Sequence, residues 1–169
     1  MSVDKSHLSG FDSRAYRNAL GSFGTGVCLV AADDSEGRAR AITVNSFASV
    51  SLAPPIVLWS IDVQSDRFHM FTETSLFSVN ILKAGEEDIS RYFAKNEEAE
   101  LSDEQLVRGV EGVPAYAGAL TRFYCRTSWR QKAGDHVVIF GFVLDFQCED
   151  GDALGFFRGK YVTHGLEGN

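Results

Sequence analysis

The chain of 169 residues is poor in the features that mark several large classes of protein. Its three cysteines, Cys28, Cys125 and Cys148, are an odd and widely spaced set without a C-x-x-C pair. No disulfide framework or cysteine metal site is expected, and the thiols read as buried and reduced in a cytoplasmic protein. No long apolar run is present: the longest, Val137 to Leu144, is interrupted by Gly141 and falls far short of the roughly 20 residues of a membrane-crossing helix. The amino end, MSVDKSHLSGF, shows no basic flank before an apolar stretch, so no secretory signal is expected. Positive charge is scarce as well, with 16 Lys and Arg against 23 Asp and Glu and a formal net charge of −7. That balance argues against nucleic acid as a partner.

The familiar catalytic signatures are missing too. Neither G-x-x-x-x-G-K-[ST] nor G-x-S-x-G occurs. Gly24-Thr25-Gly26 begins like a dinucleotide loop, but it lacks the third glycine and precedes a strand pattern instead of a helix. The four histidines, His7, His69, His136 and His164, have no zinc-ligand spacing. His69 and Glu73 stand four apart and read as a surface pair, so no metal is expected. With no nucleophile or metal on view, a bound organic cofactor is the remaining source of chemistry.

What is present is a core. The chain carries 13 Phe, five Tyr and two Trp, 44% hydrophobic and 23% charged residues, which suits one folded domain over 1–169 and excludes disorder. Phe11, Ala15, Ala19 and Phe23 form a four-residue stripe with Tyr16 and Leu20 beside it, predicting a helix over 11–23 that Ser9 and Asp12 begin as a capping box. Strands follow at 27–32, 38–44, 47–51 and 56–61, the last entered through Pro54-Pro55. Helical stretches at 65–74 and 86–94 flank a strand at 77–82. The five acids of 96–105 read as a solvated or loose excursion. Two long strands at 119–129 and 136–148 and a short one at 154–157 complete the pattern. Several strands are apolar on both faces without a βαβ rhythm, so the architecture expected is a mainly β, nearly closed barrel with two or three peripheral helices.

The most informative segment is RAITVNSFASVSLAPP, residues 40–55. Thr43, Asn45, Ser46, Ser49 and Ser51 place five short polar side chains within nine residues, among Ile42, Val44, Phe47 and Val50. Alternation explains part of this as a half-exposed strand, and Asn45-Ser46 also reads as a turn. The functional alternative is a polar strip lining a ligand pocket, where amides freed at the Asn-Ser bend meet a ring oxygen that gains negative charge.

Taken with YRNALGSFGTGV (16–27), FSVNIL (77–82), GDHVVIFG (134–141) and FFRGKY (156–161), this segment resembles the short-chain flavin reductases of the FMN-binding split-barrel class, over a core of about 11–165. The resemblance implies a Greek-key split barrel, a homodimer, and hydride transfer from NADH or NADPH to FMN or FAD for a transient partner monooxygenase. By resemblance Thr43, Val44, Asn45, Ser46 and Phe47 hold the flavin ring edge and ribityl chain, with Ser49 and Val50 following on the same wall. Gln64, Ser65 and Arg67 approach the phosphate at a helix start, consistent with anion binding there. His136 is implied beside the nicotinamide, with Tyr161 and Lys160 closing the cleft. On pattern alone His136 is equally a strand-start residue satisfied by Asp135, and Tyr161 a packing aromatic. The family often has Gly just before the Ile-Thr pair, where Arg40-Ala41 precede Ile42-Thr43 here, so either the larger residue narrows the groove or Arg40 reaches a phosphate; Lys83 and Arg91 are further candidates for that charge. The competing readings are a non-catalytic flavin carrier and, more weakly, a split-barrel oxidase of a pyridoxal-type phosphate.

Overall fold

The computed structural model describes residues 10–165. Helix α1 (Ser13–Leu20) leads into β1 (Thr25–Gly26), the hairpin β2 (Cys28–Asp33) and β3 (Ala39–Val44), then β4 (Ala48–Leu52) and β5 (Pro55–Asp62). Next come α2 (Phe68–Glu73), β6 (Leu76–Ile81), α3 (Glu87–Lys95) and a small pair, β7 (Leu106–Arg108) and β8 (Pro114–Tyr116). The long hairpin β9 (Thr121–Ala133) and β10 (His136–Cys148) precedes β11 (Ala153–Phe157) and β12 (Lys160–His164).

Seven strands form an antiparallel sheet in the order β3-β2-β6-β9-β10-β5-β4. The β9–β10 hairpin is inserted between β5 and β6, which are consecutive in the chain, and this is the Greek-key crossover. A three-stranded sheet, β1-β11-β12, joins the large one through backbone bonds from Val27 N to Leu154 O, Leu82 N to Val27 O and Leu154 N to Leu82 O, each 2.9–3.0 Å. The result is the split barrel expected from the sequence.

Strand β2 shows why its sequence does not alternate. Leu29 and Ala31 pack with Leu82, Phe93 and Leu154 on one side, while Cys28, Val30 and Ala32 pack with Trp59, Phe71, Phe77 and Ile139 inside the barrel. A strand buried on both faces needs apolar residues at every position. Burial raises the Cys28 and Cys125 thiols to about 12; Cys148, contrary to expectation, is exposed.

Three local expectations change. Helix α1 is shorter than 11–23 and its N-cap is Asp12, whose carboxylate accepts from Arg14 N at 2.9 Å and Ala15 N at 3.0 Å; Ser9 lies outside the described residues. No residue of α1 is buried, and its apolar stripe leaves Phe11, Tyr16, Leu20 and Phe23 exposed by 53, 51, 56 and 79%. The helix expected from Ser65 begins only at Phe68, because Asp62 closes a turn by accepting from Gln64 N at 2.8 Å and Ser65 N at 3.1 Å. Finally, the acidic excursion is not loose. Leu101 N donates to Ala39 O at 2.8 Å and Ala41 N to Ala99 O at 3.4 Å, with Ala99 and Leu101 buried, so the segment covers the open edge of β3.

Candidate functional site

Strand β3 ends at Val44 and β4 begins at Ala48, so residues 45–47 form a bend at the rim of the barrel. The Ser46 hydroxyl replaces ladder bonds there, accepting from Ser60 N at 3.0 Å and donating to Ser60 O at 3.2 Å. The backbone N–H groups of Asn45, Ser46 and Phe47 make no hydrogen bond among the described residues. A bend whose amides are left unbonded is a ready donor set for an electron-rich ligand edge.

Two cavities meet at this bend. The first, of about 350 Å³, is lined by Thr43, Val44, Asn45, Ser46, Ser65, Arg67 and His136, together with Ile42, Ser60, Ile61, Asp62 and Ala94. The second, of about 230 Å³, shares Thr43, Val44 and Asn45 and adds Val27, Ser90, Phe156 and Tyr161. Tyr161 also borders a 490 Å³ cavity with Lys160, Gly159, Arg91, Glu87 and Asp88. Beyond Asn45 and Phe156, a groove of about 1080 Å³ runs along the end of α1 past Thr25 and Arg158.

The chain thus brings Thr43, Val44, Asn45, Ser46, Ser65, Arg67, His136, Lys160 and Tyr161 to one connected cleft. Four expected residues lie outside its lining. Phe47 turns toward the barrel interior and stacks on Phe123 at 5.6 Å. Ser49 and Val50 continue on the exposed strand β4, where the pairing with β5 shifts register between Ser49 and Ser51, and Gln64 sits on the exposed Asp62 turn. The bend reverses the strand, so residues after Phe47 leave the wall that Thr43 begins.

The cations divide sharply. Arg67 is 9% exposed; its Nη1 donates to Ala41 O, Phe93 O and Asn96 O at 2.8, 3.0 and 3.2 Å, and its buried Nε has no partner among the described residues. Burial holds this guanidinium below its ordinary value, against the opposing pull of Glu97 and Asp66. Arg40 does not reach the cleft. It is bound to Asp34, at 3.0 Å, and to Glu98 on the far side of β3, bordering a separate acidic cavity. Lys83 is also diverted, to Glu149 at 2.7 Å. Arg91 does border the cleft, 4.9 Å from the Tyr161 ring centre. With α2 only six residues long, Arg67 and not a helix terminus carries the positive field.

His136 is paired with Asp135 and also borders the cleft. Its Nδ1 lies 2.8 Å from the Asp135 carboxylate, whose pKa this hydrogen bond lowers, and its ring lines the first cavity. Tyr161 packs edge-on against Phe156 at 5.4 Å and shares a 2.9 Å hydrogen bond with Ser90. Ser90, Phe156 and Ser60 are site residues that sequence reasoning missed; Phe156 alone carried a signal, inside FFRGKY. His69 and Glu73 are an exposed pair 3.9 Å apart, as expected.

A polar bend with unused amides, a buried unpaired guanidinium nitrogen and an aromatic-walled cleft on a split barrel define a flavin-handling protein. The chain belongs to the flavin reductase like domain family, whose model matches residues 20–165. It is 45% identical over 152 residues to the FMN reductase (NADH) SmoA of Agrobacterium fabrum, an alignment covering 90% of this chain and 86% of that protein. With the reductase component of the flavin-dependent trigonelline monooxygenase of Acinetobacter baylyi it shares 36% identity over 150 residues, 89% of this chain but 48% of that longer protein. The solved structure of the NADH:FAD oxidoreductase SgcE6 of Streptomyces globisporus matches with a TM-score of 0.84 and 29% identity, covering 99% of this chain and 98% of that one.

Proposed function

We propose that the chain is a single-domain NAD(P)H-dependent flavin reductase that transfers hydride to FMN or FAD and supplies the reduced flavin to a partner monooxygenase. The observation that carries this reading is the run of unbonded amides at 45–47 between two connected cavities, with Arg67 Nε unpartnered at the far end of one. The names of the relatives, FMN reductase (NADH), NADH:FAD oxidoreductase and monooxygenase reductase component, support the reaction and the partner. The two buried thiols, Cys28 and Cys125, support a cytoplasmic setting.

Flavin, when bound, supplies the hydride acceptor. The chain supplies place and field. The amides of Asn45, Ser46 and Phe47 present backbone donors to the ring edge, where they favour the charge that reduction creates, and Thr43 and Val44 continue the wall beside them. Ser65 and Arg67 meet the phosphate, with Arg67 Nε free to donate. His136, its Nδ1 held by Asp135, turns the rest of its ring to the cleft and orients the nicotinamide opposite Tyr161 and Lys160. Hydride transfer needs the two reacting atoms held about 3–3.5 Å apart and no protein nucleophile, which accounts for the missing catalytic motifs.

We also infer a homodimer. The stripe of α1 is uncovered, and so is the outer face of β10 and β9, where Trp129 stacks on Phe140 at 4.2 Å beside the exposed Phe142. Two exposed apolar faces on one chain call for a partner, and an eight-residue helix with no buried residue is not stable alone. A second copy covers both.

The test is to follow the NADH absorbance band with each pairing of NADH or NADPH with FMN or FAD, and to measure mass in solution. Flavin-dependent loss of the band, a raised KM for the nicotinamide in His136→Ala, and a dimer that Phe142→Glu weakens are the expected results. Failure to bind either flavin at micromolar concentrations overturns the reading; a yellow protein without turnover supports the carrier.

A further inference from the structure

Ser90 is completely buried on α3, and its two polar groups serve opposite walls of the cleft. A serine inside a helix commonly returns its hydroxyl to the carbonyl four residues back. Here the hydroxyl instead shares a 2.9 Å hydrogen bond with the Tyr161 phenol, and the Ser90 carbonyl accepts from the Thr43 hydroxyl at 2.7 Å. Thr43 and Tyr161 border the same 230 Å³ cavity. The Tyr161 ring is further held by Phe156, in a T-shaped contact, and by the Arg91 guanidinium over its face, and it separates that cavity from the one lined by Lys160. Phe156 and Arg91 constrain where the ring lies, but among the described residues only the bond to Ser90 fixes the phenol oxygen.

We propose that Ser90 is a positioning residue for the hydride donor. One buried side chain and its own carbonyl tie Tyr161 and Thr43 to the same helical turn, and so set the width of the slot into which the nicotinamide slides. The inference rests on the proposed reading of the cleft as a flavin and nicotinamide site.

Steady-state kinetics with NADH and FMN on the parent, Ser90→Ala, Tyr161→Phe and the double variant test it, with a thermal melt to confirm folding. Both single variants delete the same hydrogen bond, so each is expected to raise KM for NADH about fivefold, the worth of one neutral hydrogen bond, with kcat held within about twofold. The double variant is expected to match either single one. Ser90→Thr, which keeps the hydroxyl, is expected to keep the parent KM. The tyrosine ultraviolet difference spectrum gives a readout apart from activity: Ser90→Ala should perturb it in the parent background and leave it unchanged in the Tyr161→Phe background. An active parent whose Ser90→Ala variant keeps its KM, or additive effects in the double variant, overturns the positioning role alone. A folded parent that oxidises no NADH with either flavin overturns the functional reading, and the donor role of Ser90 falls with it.

Discussion

Ser46→Ala is the substitution that best separates a strut from a ligand contact. Its hydroxyl bonds both the N–H and the C=O of Ser60, at 3.0 and 3.2 Å, just beyond the Ala48–Leu58 pair where the β4–β5 backbone ladder ends. Deleting it removes two neutral hydrogen bonds worth about 1 kcal/mol each. Ser60 is half-buried, so water replaces part of the loss, and the expected destabilisation is about 1–2 kcal/mol. For a chain of this size that corresponds to a melting temperature lower by roughly 2–8 °C. Trp59, adjacent to Ser60 and completely buried, gives a fluorescence signal for urea unfolding, in which the midpoint should fall with the slope unchanged. An FMN titration of the same variant should show weaker binding, because the amides of 45–47 lose the anchor that aims them. Ser46→Thr should restore both. Weaker FMN binding with an unchanged midpoint would refute the reasoning, since the hydroxyl would then be a ligand contact and not a backbone strut. Lost stability with unchanged FMN affinity would show that the bend is not the flavin cradle.

Arg67→Met orphans the carbonyls of Ala41, Phe93 and Asn96 and should cost about 2–3 kcal/mol; titrations should show FMN affinity falling more than that of riboflavin, which has no phosphate, and equal losses would contradict the assigned contact. Gly141→Ala places a Cβ 2.6 Å from Phe77 Cζ and 3.0 Å from Cys125 Cβ, an overpacking that should lower the melting temperature by roughly 2–12 °C, while an unchanged melt would mean that the barrel interior yields there. Asp34 offers a pH test: burial alone would raise its carboxyl, but the N–H groups of Arg38 and Glu36 and the guanidinium groups of Arg40 and Arg38 hold it well below the ordinary value of 3.8. A depressed carboxylate contributes its full stability above that ordinary value and loses it as pH falls toward the folded one, so the gap in melting temperature between parent and Asp34→Asn should be widest at neutral pH and close below pH of about 3.8; a gap independent of pH would show that the charge is not what stabilises.

The large features were legible because they are written in side-chain chemistry. Strand 136–148 matches β10 at both ends, since turn residues bound it on either side, and the doubly apolar run at Val27–Ala32 correctly marked a strand with two buried faces. The misreadings share a cause. The stripe on α1 has the period of a packed helix, but period reports a face and not what covers it. The acidic segment 96–105 reads as solvent-loving because its backbone bonds to β3 leave no mark on its side chains. Strand β12 and the pair β7–β8 are too short to show a period at all. At the site, Thr43, Asn45 and Ser46 stood out as polar residues among apolar neighbours, whereas Ser90 looked like any serine on a helix; its meaning lies in Thr43 and Tyr161, which are 47 and 71 residues away.

Charge was the least legible property, and the reason bears on function. A formal charge of −7 counts every cation equally, while a phosphate meets only those whose charge is not already answered. Arg38, Arg40, Lys83, Arg108, Arg122 and Arg126 each pair with a carboxylate. Arg67, Lys160 and Arg158, which border the connected cavities, have no carboxylate partner among the described residues. Ion pairing therefore answers much of the surface's positive charge, Arg91 beside Asp88 at the cleft included, while Arg67, Lys160 and Arg158 keep theirs there, as Arg14, Lys95, Arg130 and Lys132 do elsewhere among the described residues. An acidic chain can in this way attract an anionic ligand to one place, and the dielectric boundary of a half-buried groove makes each unanswered cation count for more than it would on an open face. Net charge sets what the whole surface repels; the unpaired arginine at the bend decides what the cleft admits.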